Sequence, residues 1–284
     1  MGSNELIFFM HIPKTAGTTL RQIIQQQYGE EHIFSAYIGV GATTLQEHID
    51  KLKLRLNSQS NQQSNQQLNQ QLNQLDSPLN QRLTQSRNQS ANQSINAPLK
   101  PEVKLILGHI GFGLHEILGR ELKYMTFLRH PVDRVISWYY HQQRVKDAKY
   151  HQESQDLSLR ELITTLQPIP TDNHQTRYLS GDWLQQQLGQ TGVSYGECDR
   201  ELFNQAKENL RQYFCIVGIQ EDFDGSLALC KKVLQWQQID YIPENIGKDK
   251  AKLAQSEIDF VAKCNPWDLE LYEYAKTLFY QQSN

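Results

Sequence analysis

Along the chain, unbroken apolar runs alternate with stretches in which apolar positions return every three or four residues. LIFFMHI (Leu6 to Ile12) leads into a helical pattern through Tyr28, and VKLIL (Val103 to Leu107) stops at Gly108. KYMTFL (Lys123 to Leu128) runs into a helix opened by Pro131, and YFCIVGI (Tyr213 to Ile219) follows later. Strands that are apolar on both faces belong in a parallel sheet, with the amphipathic helices between them as its cover. The pattern predicts an α/β fold, a doubly wound parallel sheet flanked by helices, as a single domain over residues 1–284. Between Leu253 and Phe279, apolar positions at helical spacing predict one or two closing helices. In such folds, ligand sites collect at the carboxyl ends of the strands.

One segment breaks the pattern. From Asn57 to Asn96 the chain is almost entirely Asn, Gln and Ser. Such a tract cannot bury enough apolar surface to offset the entropy of ordering, so it reads as a mostly disordered surface insertion. Leu68, Leu72, Leu75 and Leu79 have the spacing of a short coiled-coil seam, but Pro78 interrupts it and no charges flank it.

Composition narrows the partners. A net charge of −3 on 284 residues gives no broad attraction to nucleic acid or to an anionic membrane. No apolar run approaches the roughly 20 residues of a membrane span, and the N-terminus lacks the basic start and long apolar core of a signal peptide. Cys198, Cys215, Cys230 and Cys264 lie far apart without a C-x-x-C pair, which indicates neither a zinc site nor a disulfide framework. A reduced, cytoplasmic setting is the expectation. No histidine pair at ligand spacing has a carboxylate or Cys companion, so no metal is expected. Nothing in the sequence indicates an oligomeric state.

The chemistry gathers at two strand–turn–helix junctions. In HIPKTAGTTL the chain leaves a strand and places Lys14, Gly17, Thr18 and Thr19 ahead of the next helix. A tight loop into a helix aims backbone N–H groups and the positive end of the helix dipole at one point, which suits a phosphate. The phosphate loop G-x-x-x-x-G-K-[ST] is absent, because here the lysine precedes the glycine. The plain alternative is a helix start capped by Thr15 with an exposed Lys14. In TFLRHPVDRVISWYYH, Arg129 closes a strand and Ser137 lies two turns into the next helix, a clamp for a second phosphate. Within the same helix, two of Trp138, Tyr139 and Tyr140 are expected to pack in the core.

HIPKTAGTTL resembles the 5′-phosphosulfate loop of sulfotransferases that use 3′-phosphoadenosine 5′-phosphosulfate (PAPS). The likeness is to the branch containing heparan sulfate 2-O-sulfotransferases and their bacterial relatives. FLRHPVDRVIS resembles the branch's 3′-phosphate motif R-[DH]-P-x-x-R-x-x-S, with His130 where many relatives carry Asp, and LGHIGFG resembles its G-H segment. DNHQTRYLSG, FCIVGIQEDFDGSL and NPWDLELYEYA are also phrases such proteins use, so the resemblance covers nearly the whole chain outside the Asn/Gln tract. It implies that backbone amides around Thr15, Ala16 and Gly17, with the hydroxyls of Thr18 and Thr19, hold the 5′-phosphosulfate. It also implies that Lys14 steadies charge on the leaving phosphate and that Arg129 and Ser137 grip the 3′-phosphate.

Transfer to an alcohol needs a base, and His109 directly follows a strand at its carboxyl edge. The resemblance assigns the base to the histidine of the G-H segment, hence to His109; a structural histidine capping a turn is the alternative. His115 is a second candidate base, with Glu116 placed to orient either one, and His11 reads as a packing residue. His32, His48, His141, His151 and His174 carry no supporting pattern. Asn173, Gln175 and Arg177 are candidates to line a cofactor or acceptor cleft, and Tyr178 to stack on a base; a solvated loop with a helix start is the alternative. The expected function is sulfuryl transfer from PAPS, without a metal, to a hydroxyl of a saccharide or small metabolite, releasing PAP. A kinase on a related fold would use ATP, but it should show G-K-[ST].

Overall fold

The computed structural model describes residues 5–37, 44–73, 101–237, 239, 241 and 253–283. Five parallel strands, β1 (Ile7–Met10), β2 (Ile33–Ala36), β3 (Leu105–Gly108), β4 (Lys123–Leu128) and β5 (Phe214–Ile219), lie in the order β2-β3-β1-β4-β5. Four are the runs read as strands. The edge strand β2, with sequence IFSA, is too short and too polar at Ser35 to stand out. The chain steps from β1 to one side of the sheet, then returns across β1 from β3 to β4. The strand order therefore reverses at β1, where ligand crevices form in open α/β sheets.

Register carries the consequence. Met10 aligns with Gly108 and Phe9 with Met125. His11, His109 and Arg129 thus emerge from the same edge of three neighbouring strands. The strands are buried on both faces, with Phe8, Phe9, Met10, Leu105, Ile106 and Phe127 at or near zero exposure.

The helices in chain order begin with α1 (Gly17–Tyr28), α2 (Leu45–Asn73), α3 (Leu114–Leu118) and α4 (Pro131–Arg144). Next come α5 (His151–Asp156), α6 (Leu159–Leu166), α7 (His174–Ser180) and α8 (Asp182–Gln187). The last are α9 (Arg200–Tyr213), α10 (Phe223–Leu234) and the two closing helices α11 (Gln255–Cys264) and α12 (Pro266–Ser283). Trp138 and Tyr139 of α4 are buried in a second apolar cluster with Leu159, Leu162, Ile163 and Val261, while Tyr140 packs at its margin. No helix among the described residues is long and apolar enough to cross a membrane.

The Asn/Gln tract departs from its expected disorder at its start, because α2 runs without a break from Leu45 to Asn73. Leu45, Ile49, Leu52 and Leu56 anchor the helix on the core, and Gln59 donates to the Pro101 carbonyl at 3.1 Å. With nucleation met by that anchor, each further residue adds a helical hydrogen bond, and Gln is a good helix former. Residues 74–96, with Leu75, Pro78 and Leu79 of the leucine seam, lie outside the described residues.

Candidate active site

The loop from β1 into α1 is built from two unusual backbone turns. Lys14 (φ 76°) and Ala16 (φ 67°) both take the left-handed conformation, which costs a non-glycine residue about 1–2 kcal/mol each. Left-handed residues that alternate with right-handed ones turn successive N–H groups to one side, and two left-handed residues this close suit such an anion-binding nest. Thr15 faces inward, fully buried, and its hydroxyl donates to the Ile12 carbonyl at 2.9 Å. It does not cap α1. The capping position belongs to Ala16, which provides no side-chain hydrogen bond, so the positive end of α1 faces the nest without a side-chain acceptor. Gly17 is required sterically: a Cβ there would lie 1.7 Å from His11 Nε2. Thr18 is exposed on the first turn, and Thr19 is buried.

The Nε2 end of the His11 ring therefore abuts Gly17 of this loop, and His109 packs beside His11. Their ring centroids are 4.4 Å apart, and His109 Nδ1–H donates to the His11 carbonyl at 2.8 Å. A carbonyl can only accept, so this bond places the proton on Nδ1 and leaves the lone pair on Nε2. Burial pushes His109 down to about 4; the bond to His11 works against this, and the charge of Lys14 adds to it. His11 is held well below the usual range, first by burial and then by His109, Lys14 and Arg21. Its Nδ1 meets the Tyr37 hydroxyl at 2.8 Å, and the Tyr37 ring stands edge-on to His109 at 4.7 Å. The Arg21 guanidinium lies over that ring at 5.2 Å. Gln187 straps the loop that carries His109, donating to the His109 carbonyl at 2.6 Å and accepting from Gly111 N–H at 3.1 Å.

His115 is not an alternative base. Its Nδ1 and the hydroxyl of Tyr124, near the start of β4, are 2.8 Å apart, and its ring packs beside Tyr213, just ahead of β5. It belongs to the amino edge of the sheet, opposite His109, because α3 carries the chain back along the strands. Glu116 lies at 3.9 Å from His115 Nε2 and goes with it.

The second junction meets the first. Arg129 Nη1 donates to the Lys14 carbonyl at 3.3 Å, while Arg129 Nε is buried without a partner. Burial lowers the guanidinium's pKa, and Asp133 and Glu221 pull it back up. His130 turns aside, with its N–H on Glu221 at 2.8 Å and its ring edge-on to Tyr272. Ser137 is partly exposed on α4, one turn before His141 on the same helical face. His141, passed over in the sequence, is pushed down to about 4 by burial and then by the nearby charges of Lys14 and Arg144. Its spacing from Ser137 was the available signal. Tyr37 was hidden because β2 was not recognised as a strand.

The DNHQTRYLSG stretch is neither a solvated loop nor, as placed, a cleft lining. Arg177 is 0 % exposed. Its guanidinium bonds Asp172 at 2.5 Å, Asp182 at 2.8 Å and the carbonyls of Val193 and Ser194, each at 2.7 Å. With every donor direction filled from inside the protein, no surface is left for a ligand. Tyr178 is buried and stacked on Trp183 at 5.5 Å, which occupies the face expected to meet a base. The Asn173 side chain joins α7 to α12, accepting from Trp267 N–H at 2.9 Å and Asp268 N–H at 3.1 Å. Gln175 alone of the four touches a site residue: its amide meets both backbone polar groups of Arg129.

The strand order reverses where the β1–α1 loop, Arg129 and His109 come together, the place at which open α/β sheets bind their ligands. The chain matches the sulfotransferase family over residues 1–275 and belongs to it. The family is PAPS-dependent and includes heparan sulfate 2-O-sulfotransferase-like members, so the protein is a PAPS-dependent sulfotransferase and the kinase alternative is not favoured. The search of curated proteins found no match. Among the described residues, no group of three or more His, Cys, Asp or Glu side chains is arranged to hold a metal ion.

Proposed function

We propose that this sulfotransferase acts on a hydroxyl of a saccharide or small metabolite, with His109 as the general base and Lys14 as the electrostatic catalyst. PAPS supplies the sulfuryl group on a phosphate leaving group. Support for its fit comes from the nest around Lys14 and Ala16, the side-chain-free start of α1, and the buried, unpartnered Nε of Arg129. In this arrangement the nest amides and the hydroxyls of Thr18 and Thr19 hold the 5′ end, and Arg129 with Ser137 holds the 3′-phosphate. Lys14 sits close enough to depress both His11 and His109, so its charge is available where negative charge develops on the leaving group.

The observation that carries the proposal is the His109 Nδ1–H to His11 carbonyl bond at 2.8 Å. It fixes the tautomer and orientation of the imidazole, so that Nε2 carries the lone pair that takes the proton of an attacking hydroxyl, while burial keeps the ring neutral. Tyr37, partly exposed beside that ring, offers an apolar surface suited to the C–H face of a sugar. A dense basic groove for a long acidic glycan is not evident in the sequence, which favours a small or neutral acceptor. A cytoplasmic setting is part of the same proposal.

The test is His109→Ala, assayed in two ways. Calorimetric binding of PAP should stay within about twofold of the parent, while transfer to a panel of sugar and small-alcohol acceptors falls by roughly 10²-fold or more. Poor PAP binding in this variant would overturn the assignment of the base.

A further inference from the structure

Arg129 stands one residue past the end of β4, where the sheet no longer supplies partners for its peptide groups. Gln175 takes over that duty. Its Oε1 accepts from Arg129 N–H at 3.0 Å, and its Nε2 donates to the Arg129 carbonyl at 2.9 Å. The side-chain amide thus pairs with the backbone as a neighbouring strand would. Gln175 is fully buried, which spares the pair from competition with water.

Gln175 is itself fixed from the closing helix. Asp268, fully buried in the first turn of α12, accepts from Gln175 N–H at 3.1 Å, Thr176 N–H at 2.7 Å and the Thr176 hydroxyl at 2.8 Å. Glu221 holds the next peptide by accepting from His130 N–H at 2.8 Å. Both peptides of the β4–α4 turn are therefore clamped, one from α7 and one from the turn after β5. Only the Arg129 guanidinium reaches away from this clamp, with Nη1 on the Lys14 carbonyl and Nε unpartnered.

We infer that Gln175 is a positioning residue for anion recognition: it pre-sets the Arg129 backbone so that the guanidinium meets a phosphate at the ribose 3′ position. This rests on the proposed assignment of Arg129 to that phosphate. Loss of this buried amide leaves the Arg129 N–H and carbonyl without partners and lowers stability whatever its role. A positioning role adds a separate effect, because the arginine then pays for ordering when the ligand that it grips binds, and only that ligand is weakened.

The experiment compares calorimetric affinities for PAP and for adenosine 5′-phosphate, which lacks the 3′-phosphate, in the full chain. Gln175→Met keeps length and volume but removes both hydrogen bonds. It should weaken PAP about tenfold, leave adenosine 5′-phosphate within about twofold, and so collapse the ratio between them. Gln175→Glu, which retains an acceptor for Arg129 N–H, should fall between parent and Met, and it carries the same test should Gln175→Met not fold. In an Arg129→Ala background, Gln175→Met should have no further effect on PAP. Affinities for both ligands falling together, or a ratio unchanged in both variants, would overturn the inference while leaving the 3′-phosphate site standing. A parent protein that binds the two ligands equally would overturn that site and the inference together.

Discussion

Free histidine titrates near pH 6.5, and His109 is held at about 4. The largest cause is burial, so the neutral form is the resting state near neutral pH. A base is lost when it is protonated, that is, as pH falls through its pKa. The acid limb of kcat/KM, which reports the free enzyme, should therefore lie well below 6.5 and approach the value set by His109. A pH profile of transfer measured from about pH 4 to 8 decides this, and a limb centred near 6.5 would point to a more exposed base. At the other junction, Arg129 shows the complementary situation: its charge persists, but its buried Nε waits for an acceptor.

At the scale of elements, the site is the product of register. The pairing of Met10 with Gly108 sets His11 beside His109, and Gly17 lets α1 start directly against the His11 ring. Among the described side chains of α2, those that anchor it are Leu45, Ile49, Leu52, Leu56 and Gln59, all in its first half. Excision of residues 61–96 with a short Gly/Ser replacement should consequently leave the thermal midpoint within about 4 °C of the parent. PAP affinity should be unchanged. A collapse of either quantity would assign the Asn/Gln tract a part in the fold or the site.

For the molecule as a whole, the buried histidines set an acid limit on stability. His11 and His174 are both held neutral, chiefly by desolvation, His174 further by the charges of Arg134 and Arg177. Their folded pKa values lie below the unfolded value, so their contribution is intact above about pH 6.5 and is lost as pH falls below it, when only the unfolded chain takes up the protons. Each should lower stability progressively as pH falls from about 6.5. Asp268, pushed up by burial, works in the opposite sense at lower pH. Urea unfolding followed from about pH 7.5 to 5.5 should show the midpoint falling steadily below 6.5, and a flat profile would mean that these rings accept protons in the folded state.

Much of this was legible in the chain. Continuous apolar strands and their turn residues announce a parallel α/β sheet, because a strand buried on both faces has no other home. The two junctions carry the residue types suited to phosphate, lysine, glycine, threonine and arginine at strand ends, and the structure brings them together. What local pattern could not convey was who meets whom. Arg177 has the look of a ligand-binding arginine until Asp172 and Asp182 are seen to enclose it, and Gln175 looks ordinary until it is found on the Arg129 backbone. His115 and His109 stand six residues apart in similar surroundings of glycine and apolar residues, yet they end at opposite edges of the sheet. Residue type and spacing determine what a side chain can do; only long-range register and packing decide whether it faces solvent, a neighbour or a ligand.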